Sequence, residues 1–231
     1  MARAALWRPL LGLSLAAAFA ACTAQPHSNR DALNQATVLI EHAKGHGTGT
    51  IVGRNRVLTA YHVVADAPVA VEFFHGPKVG GRVDWYDEAL DLALVAVEVP
   101  ERYRATTLAC DGLRIGQHLV AIGHPMRKRW ATADGRLPTV TAVGGVGLVP
   151  LGFEIGLGTS GGPVFDDQGR VAGIALAILA ERRSASAAYD EFKDTGMGLM
   201  LPASAFCDAM ERGERAGTRG RGIARSPAVS P

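Results

Sequence analysis

The chain has 231 residues, 48% of them hydrophobic, and a formal net charge of +2. There is enough apolar material for a sizeable core, and too little charge bias to argue for nucleic acid or a charged membrane surface as partner. Aromatic residues, at 6%, leave little for stacking on bases, while 28 glycines, about 12% against an average near 7%, point to many tight turns.

Met1 to Ala21 reads as a signal peptide. Arg3 and Arg8 form its positive start, and the apolar stretch from Leu10 to Ala21 is too short for a bilayer-spanning helix. Phe19-Ala20-Ala21-Cys22 resembles a bacterial lipobox, which would make Cys22 a lipidated first residue and a membrane attachment; ordinary cleavage near Ala20 is the alternative. Either way the chain is expected to be exported: periplasmic, anchored in the outer membrane as a lipoprotein, or secreted. Residues 22–35 are polar and read as a tether.

From residue 36 short apolar runs alternate with turn signals. Val38 to Ile40 is the first run; Thr48 to Val52 and Val57 to Ala60 flank Gly53-Arg54-Asn55, a hairpin signature. Val69 to Phe74, Arg82 to Trp85 and Leu92 to Val99 follow. Then come Leu119 to Ile122, Thr139 to Val143, Gly162 to Phe165 and Val171 to Leu179, with a hairpin turn at Asp166-Asp167-Gln168-Gly169. Short strands at this spacing imply an all-β barrel or sandwich. Residues 101–112 read as a linker between a first strand cluster (36–100) and a second (113–202). A helix is expected over 203–212, with Pro202 in its first turn and Gly213 at its stop, and disorder over 213–231.

Three segments carry chemistry. His62 ends a strand, Asp91 opens an apolar strand where a carboxylate would be buried and need a partner, and Ser160 sits among glycines in Gly158-Thr159-Ser160-Gly161-Gly162. A serine hydroxyl needs a base to become a nucleophile; histidine titrates near neutrality, and a carboxylate on its other nitrogen fixes the useful tautomer. The glycines let the N–H groups of Gly158 and Ser160 aim at one point, where an oxyanion would form. The same five residues fit the nucleophile elbow of α/β-hydrolases, but no histidine follows Ser160, as that fold requires. Asp84, Asp87 and Asp66 compete with Asp91. His42 and His46 stand four apart, but Gly45 and Gly47 deny them a helix, and no metal or other cofactor is expected. Arg127-Lys128-Arg129 reads as a solvated loop, with a peptide-facing role as the alternative.

Taken together and in this order, the segments resemble the trypsin-like serine proteases, most closely the HtrA/Deg branch. The resemblance runs from Thr37 to Met210. It includes Gly47-Thr48-Gly49-Thr50, Thr59-Ala60-Tyr61-His62, Asp91-Leu92-Ala93-Leu94 and Ile122-Gly123-His124-Pro125. It continues through Gly158 to Pro163 and Gly196 to Pro202. It implies two six-stranded antiparallel β-barrels with a C-terminal helix and a site in the cleft between them. The implied triad is His62, Asp91 and Ser160, with the oxyanion hole at Gly158 and Ser160, acting on protein or peptide substrates. Spacing alone leaves Cys110 and Cys207 open between a disulfide and two buried thiols; the resemblance places the linker beside the terminal helix and so favours the bond. By register, Glu154 falls at the floor of a specificity pocket, which would favour a basic side chain; a pocket lined by Ile174, Ala175 and Leu176 would favour small aliphatic ones. HtrA proteases usually carry a PDZ domain after the protease domain; here a short Arg/Gly/Ser/Pro tail follows, so PDZ-driven activation is not expected. The residues give no oligomeric state. An inactive, protease-like binding module is the alternative to an active enzyme.

Overall fold

The computed structural model describes residues 26–65, 68–182 and 192–217; residues 1–21, read as a signal peptide, Cys22 and residues 218–231 lie outside them. Twelve strands, three α-helices and one short 3-10 turn make up the described residues.

The first barrel is closed, with strands in the order β1-β2-β3-β6-β5-β4. These are β1 (Thr37–His42), β2 (Gly45–Gly53), β3 (Arg56–Ala60), β4 (Val69–Phe73), β5 (Lys78–Asp87) and β6 (Leu92–Ala96). The expected β2–β3 hairpin forms, with Asn55 in the left-handed region at φ 59°. The unbroken apolar runs of β3 and β6 are buried on both faces: one fills the barrel and the other is covered by the rest of the molecule.

The second barrel is a six-stranded antiparallel sheet, nearly closed, in the order β8-β7-β10-β11-β12-β9. Its strands are β7 (His118–Gly123), β8 (Ala131–Arg136), β9 (Val149–Glu154), β10 (Pro163–Phe165), β11 (Val171–Arg182) and β12 (Phe192–Pro202). The expected strand at Thr139 to Val143 is absent. Val143 makes only an isolated bridge to Leu148 around a turn with Gly144 and Gly147 at positive φ, and Val140 is exposed.

Both ends of the domain depart from expectation. Helix α1 (Pro26–Ala36) occupies most of the stretch read as a tether, because Leu33 and Ala36 find a place in the core. Helix α3 runs Ala203–Gly217, past Gly213, with Phe206 and Met210 sunk into the core shared with the first barrel. Residues 101–112 form no strand or helix, yet they are anchored: Leu108 bridges to Val171, and Tyr103 is buried. Cys110 and Cys207 are joined in a disulfide with Cα atoms 6.0 Å apart, fastening the linker to α3.

Candidate active site

Pairing of β3 with β6 sets Ala60 opposite Leu92, so the residues just beyond meet. There the four-residue helix α2 (Tyr61–Val64) begins. Tyr61 N–H donates to the Asp91 carbonyl at 3.0 Å. His62 donates twice to the Asp91 carboxylate, from its backbone N–H to Oδ1 at 2.9 Å and from Nδ1 to Oδ2 at 2.6 Å. Two bonds from one residue fix both the ring plane and the tautomer, and leave Nε2 as the free acceptor. Asp91 does not open the strand: it precedes Leu92 in the left-handed region, at φ 53°. Nor is its carboxylate buried as expected; the side chain is 33% exposed, because it lies at the barrel rim beside His62. The competing acids are otherwise engaged: Asp84 pairs with Arg56 and Arg82, and Asp87 caps the turn at Ala89 and Leu90. Asp66 lies outside the described residues.

Ser160 sits on the loop entering β10 of the other barrel. Glycine is required on both sides of it. Gly161 has φ +80°, and any Cβ there would run into Thr59 Oγ1 and Thr48 O; Gly158 has φ +101° and packs on His46 and the His124 carbonyl. Gly47 is the spacer across the cleft: a Cβ on it would meet Val63 of α2 at 2.6 Å and Ser160 O at 3.1 Å. Among the described residues no hydrogen bond joins Ser160 Oγ to His62. The structure thus brings His62 and Asp91 into contact and sets Ser160 O across Gly47 from Val63, the neighbour of His62, with the serine–histidine bond unmade.

The carbonyls of this loop are all held from behind. Met126 N–H donates to Leu157 O at 2.8 Å, Thr48 Oγ1 to Gly158 O at 2.7 Å, Gly162 N–H to Thr159 O at 2.8 Å and Thr48 N–H to Ser160 O at 2.9 Å. In a trans peptide the N–H points opposite to the C=O. Fixing Leu157 O and Thr159 O therefore fixes the directions of the Gly158 and Ser160 N–H groups, and neither of these donates a hydrogen bond among the described residues.

Two residues in this arrangement were visible in the sequence only as motif members. Thr48 and His124 are both fully buried, and Thr48 Oγ1 lies 3.0 Å from His124 Nδ1. Burial, with lesser repulsion from His46 and Arg129, lowers the His124 pKa to about 3, so the ring is neutral. A hydroxyl flanked by glycines and a histidine ending an apolar strand were the available signals.

Glu154 ends β9 exposed, paired with Met197 and lying over Gly196. Ile174, Ala175 and Leu176 are packed in the cores; Ala175 O accepts from Gly161 N–H at 2.7 Å. Arg129 is no solvated bystander, since it pairs with Glu72 of the first barrel. Among the described residues no group of three or more His, Cys, Asp or Glu is arranged to hold a metal ion. His46 instead contacts His124 O at 2.8 Å.

Residues 47–174 match the family model described as a trypsin-like peptidase domain. The periplasmic serine endoprotease DegP of Salmonella typhimurium is 34% identical over 170 residues, covering 68% of this chain and 33% of that protein. The periplasmic pH-dependent serine endoprotease DegQ of Escherichia coli is 30% identical over 149 residues, 59% of this chain and 32% of that one. The chain thus spans about a third of the length of these relatives. Among solved structures, the HtrA-type protease AlgW with a tripeptide has a TM-score of 0.68 at 24% identity, covering 81% of this chain and 63% of that one. An inactive serine-to-alanine form of Rv3671c from M. tuberculosis has a TM-score of 0.66 at 22% identity, covering 91% and 100%.

Proposed function

The chain belongs to the trypsin-like peptidase family, and on that premise we propose that it is a serine endopeptidase with Ser160 as nucleophile, His62 as general base and Asp91 as its orienting carboxylate. The observation that carries the reading is the double hydrogen bond from His62 to Asp91, which dedicates Nε2 to a proton acceptor's role. His62 Nε2 takes the Ser160 proton as Oγ attacks the scissile carbonyl carbon. The oxyanion accepts hydrogen bonds from the Gly158 and Ser160 N–H groups. Collapse breaks the C–N bond, and His62 returns the proton to the leaving amine. Water, deprotonated by His62, then hydrolyses the acyl-Ser160 ester, and no cofactor enters. The substrates are proteins or peptides, met outside the cytoplasm, and lipidation of Cys22 would tether the enzyme to a membrane. Glu154 is proposed to favour a basic residue before the cut; cleavage profiling without preference for Arg or Lys would remove that part.

A second reading, a protease-like binding module without turnover, is favoured by the missing Ser160–His62 hydrogen bond. Fluorophosphonate labelling of wild type beside Ser160→Ala separates the two. Labelling of wild type alone supports the enzyme; labelling of neither supports the binding module.

A further inference from the structure

We infer that Thr48 and His124 are positioning residues for the oxyanion hole: a buried, one-way hydrogen-bond relay from His124 through Thr48 to Gly158 O holds the nucleophile loop in its donating form. The inference rests on the enzyme reading above and adds a role for two residues whose side chains touch no side chain of the proposed triad.

The direction of the relay follows from proton counting. The Gly158 carbonyl only accepts, and it lies 2.7 Å from Thr48 Oγ1, so the single hydroxyl proton points there. His124 Nδ1, 3.0 Å from the same oxygen, must then carry a proton and donate it. That assigns the Nδ1–H tautomer and leaves Nε2 as a bare acceptor, and Nε2 is indeed buried without a partner. A buried orphan atom costs stability, and here it is the consequence of spending the ring's one N–H on Thr48. Burial, which holds the ring's pKa down at about 3, keeps a second proton off Nε2 above that pH.

Thr48 also grips the loop a second time, through its N–H to Ser160 O at 2.9 Å, and its own carbonyl accepts from Thr59 Oγ1 at 2.7 Å. One residue of the first barrel thus holds two of the four loop carbonyls of the second. The grip on Gly158 O is the one made by a side chain, so a substitution can delete it. Without it the 158–159 peptide, which joins the two donors, keeps only the bond from Thr159 N–H to Gly156 O at 3.0 Å, and a tilt of that peptide shifts the Gly158 and Ser160 N–H groups relative to each other.

The test compares Thr48→Val, which keeps the shape and removes the relay, with Thr48→Ser, which keeps the hydroxyl. On a peptide substrate, Thr48→Val is expected to lower kcat about 10- to 100-fold with KM within about twofold, because the lost alignment acts on the oxyanion and not on substrate binding. Thr48→Ser is expected to stay within about threefold of wild type. Crystal structures of both variants supply a second readout: the Gly158 carbonyl turned from its place in Thr48→Val and retained in Thr48→Ser. Thr48→Ala, without the extra methyl, is held to the same outcomes should Thr48→Val not fold. A folded Thr48→Val with wild-type kcat, a change in KM alone, or an unmoved Gly158 carbonyl overturns the inference. If wild type itself shows no Ser160-dependent turnover, the enzyme reading fails, and the carbonyl direction still decides the relay.

Discussion

Trp130 of the second barrel donates its indole N–H to the carbonyl of Thr37, the first residue of the first strand of the other barrel, at 3.0 Å. Its ring lies against Phe74 and edge-on to His124, and the neighbouring Arg129 reaches Glu72. Trp130→Phe removes the hydrogen bond and keeps most of the packing, so a loss of about 1 kcal/mol is expected. Trp130→Ala removes both and is expected to cost about 3 kcal/mol. Urea unfolding of the two variants checks the difference; equal losses would show that the hydrogen bond carries all of the effect.

On the proposed mechanism, Asp91→Asn keeps the bond from His62 N–H but turns an amide donor toward Nδ1. The ring must then hold its proton on Nε2, the wrong tautomer for a base. A fall in kcat of about 10⁴ with little change in KM is expected. Melting temperature serves as the control, and a variant that melts with wild type yet keeps its kcat would remove Asp91 from the mechanism.

Two histidines give stability opposite dependences on pH. Burial lowers His124 from 6.5 to about 3, so the unfolded chain binds more protons between those values. The stability it contributes is complete above about 6.5 and is lost as pH falls toward 3. His118 is raised, chiefly by its hydrogen bond to Asp167 at 2.9 Å and further by Asp134. Its contribution is present below the ordinary histidine value and fades as pH rises through the folded one. Denaturation midpoints across pH should therefore flatten on the acid side in His124→Asn and on the neutral side in His118→Gln. Unchanged slopes in either variant would refute the assignment for that residue.

The Cys110–Cys207 bond closes a sequence separation of 97 residues, and on chain-entropy grounds such a loop is worth about 2–5 kcal/mol. Cys110→Ser with Cys207→Ser is expected to lower stability by that amount in urea. Activity well below the melting temperature is expected to remain near wild type, since the bond joins the linker to α3 and neither carries a residue of the proposed triad. A fall in kcat at low temperature would tie the linker to the site.

Strands whose side chains alternate or form unbroken apolar runs were legible in the sequence, as were the turns at Asn55 and Gly169. Strand β8, Ala-Thr-Ala-Asp-Gly-Arg, was not, because its polar residues find their partners in and just before the neighbouring strand, Asp134 at His118 and Arg136 at Gly116 O, and its burial is shallow. Thr139 to Val143 carried the better β-propensity and made no strand, since no neighbouring strand was there to pair with it. At the site, residue types and order pointed to His62, Asp91 and Ser160, and the structure joins the first two by hydrogen bonds. The left-handed backbone of Asp91 and the relay through Thr48 and His124 were hidden, because both depend on contacts between residues up to 110 positions apart.

The disulfide has a topological consequence. All six strands of the second barrel lie between Cys110 and Cys207, so that barrel is a covalent ring closed through sulfur. A backbone cut anywhere inside the ring, including one the enzyme inflicts on itself, leaves a single connected molecule. Nicked protein should migrate as one band on a denaturing gel until a reductant is added, and only then part into two.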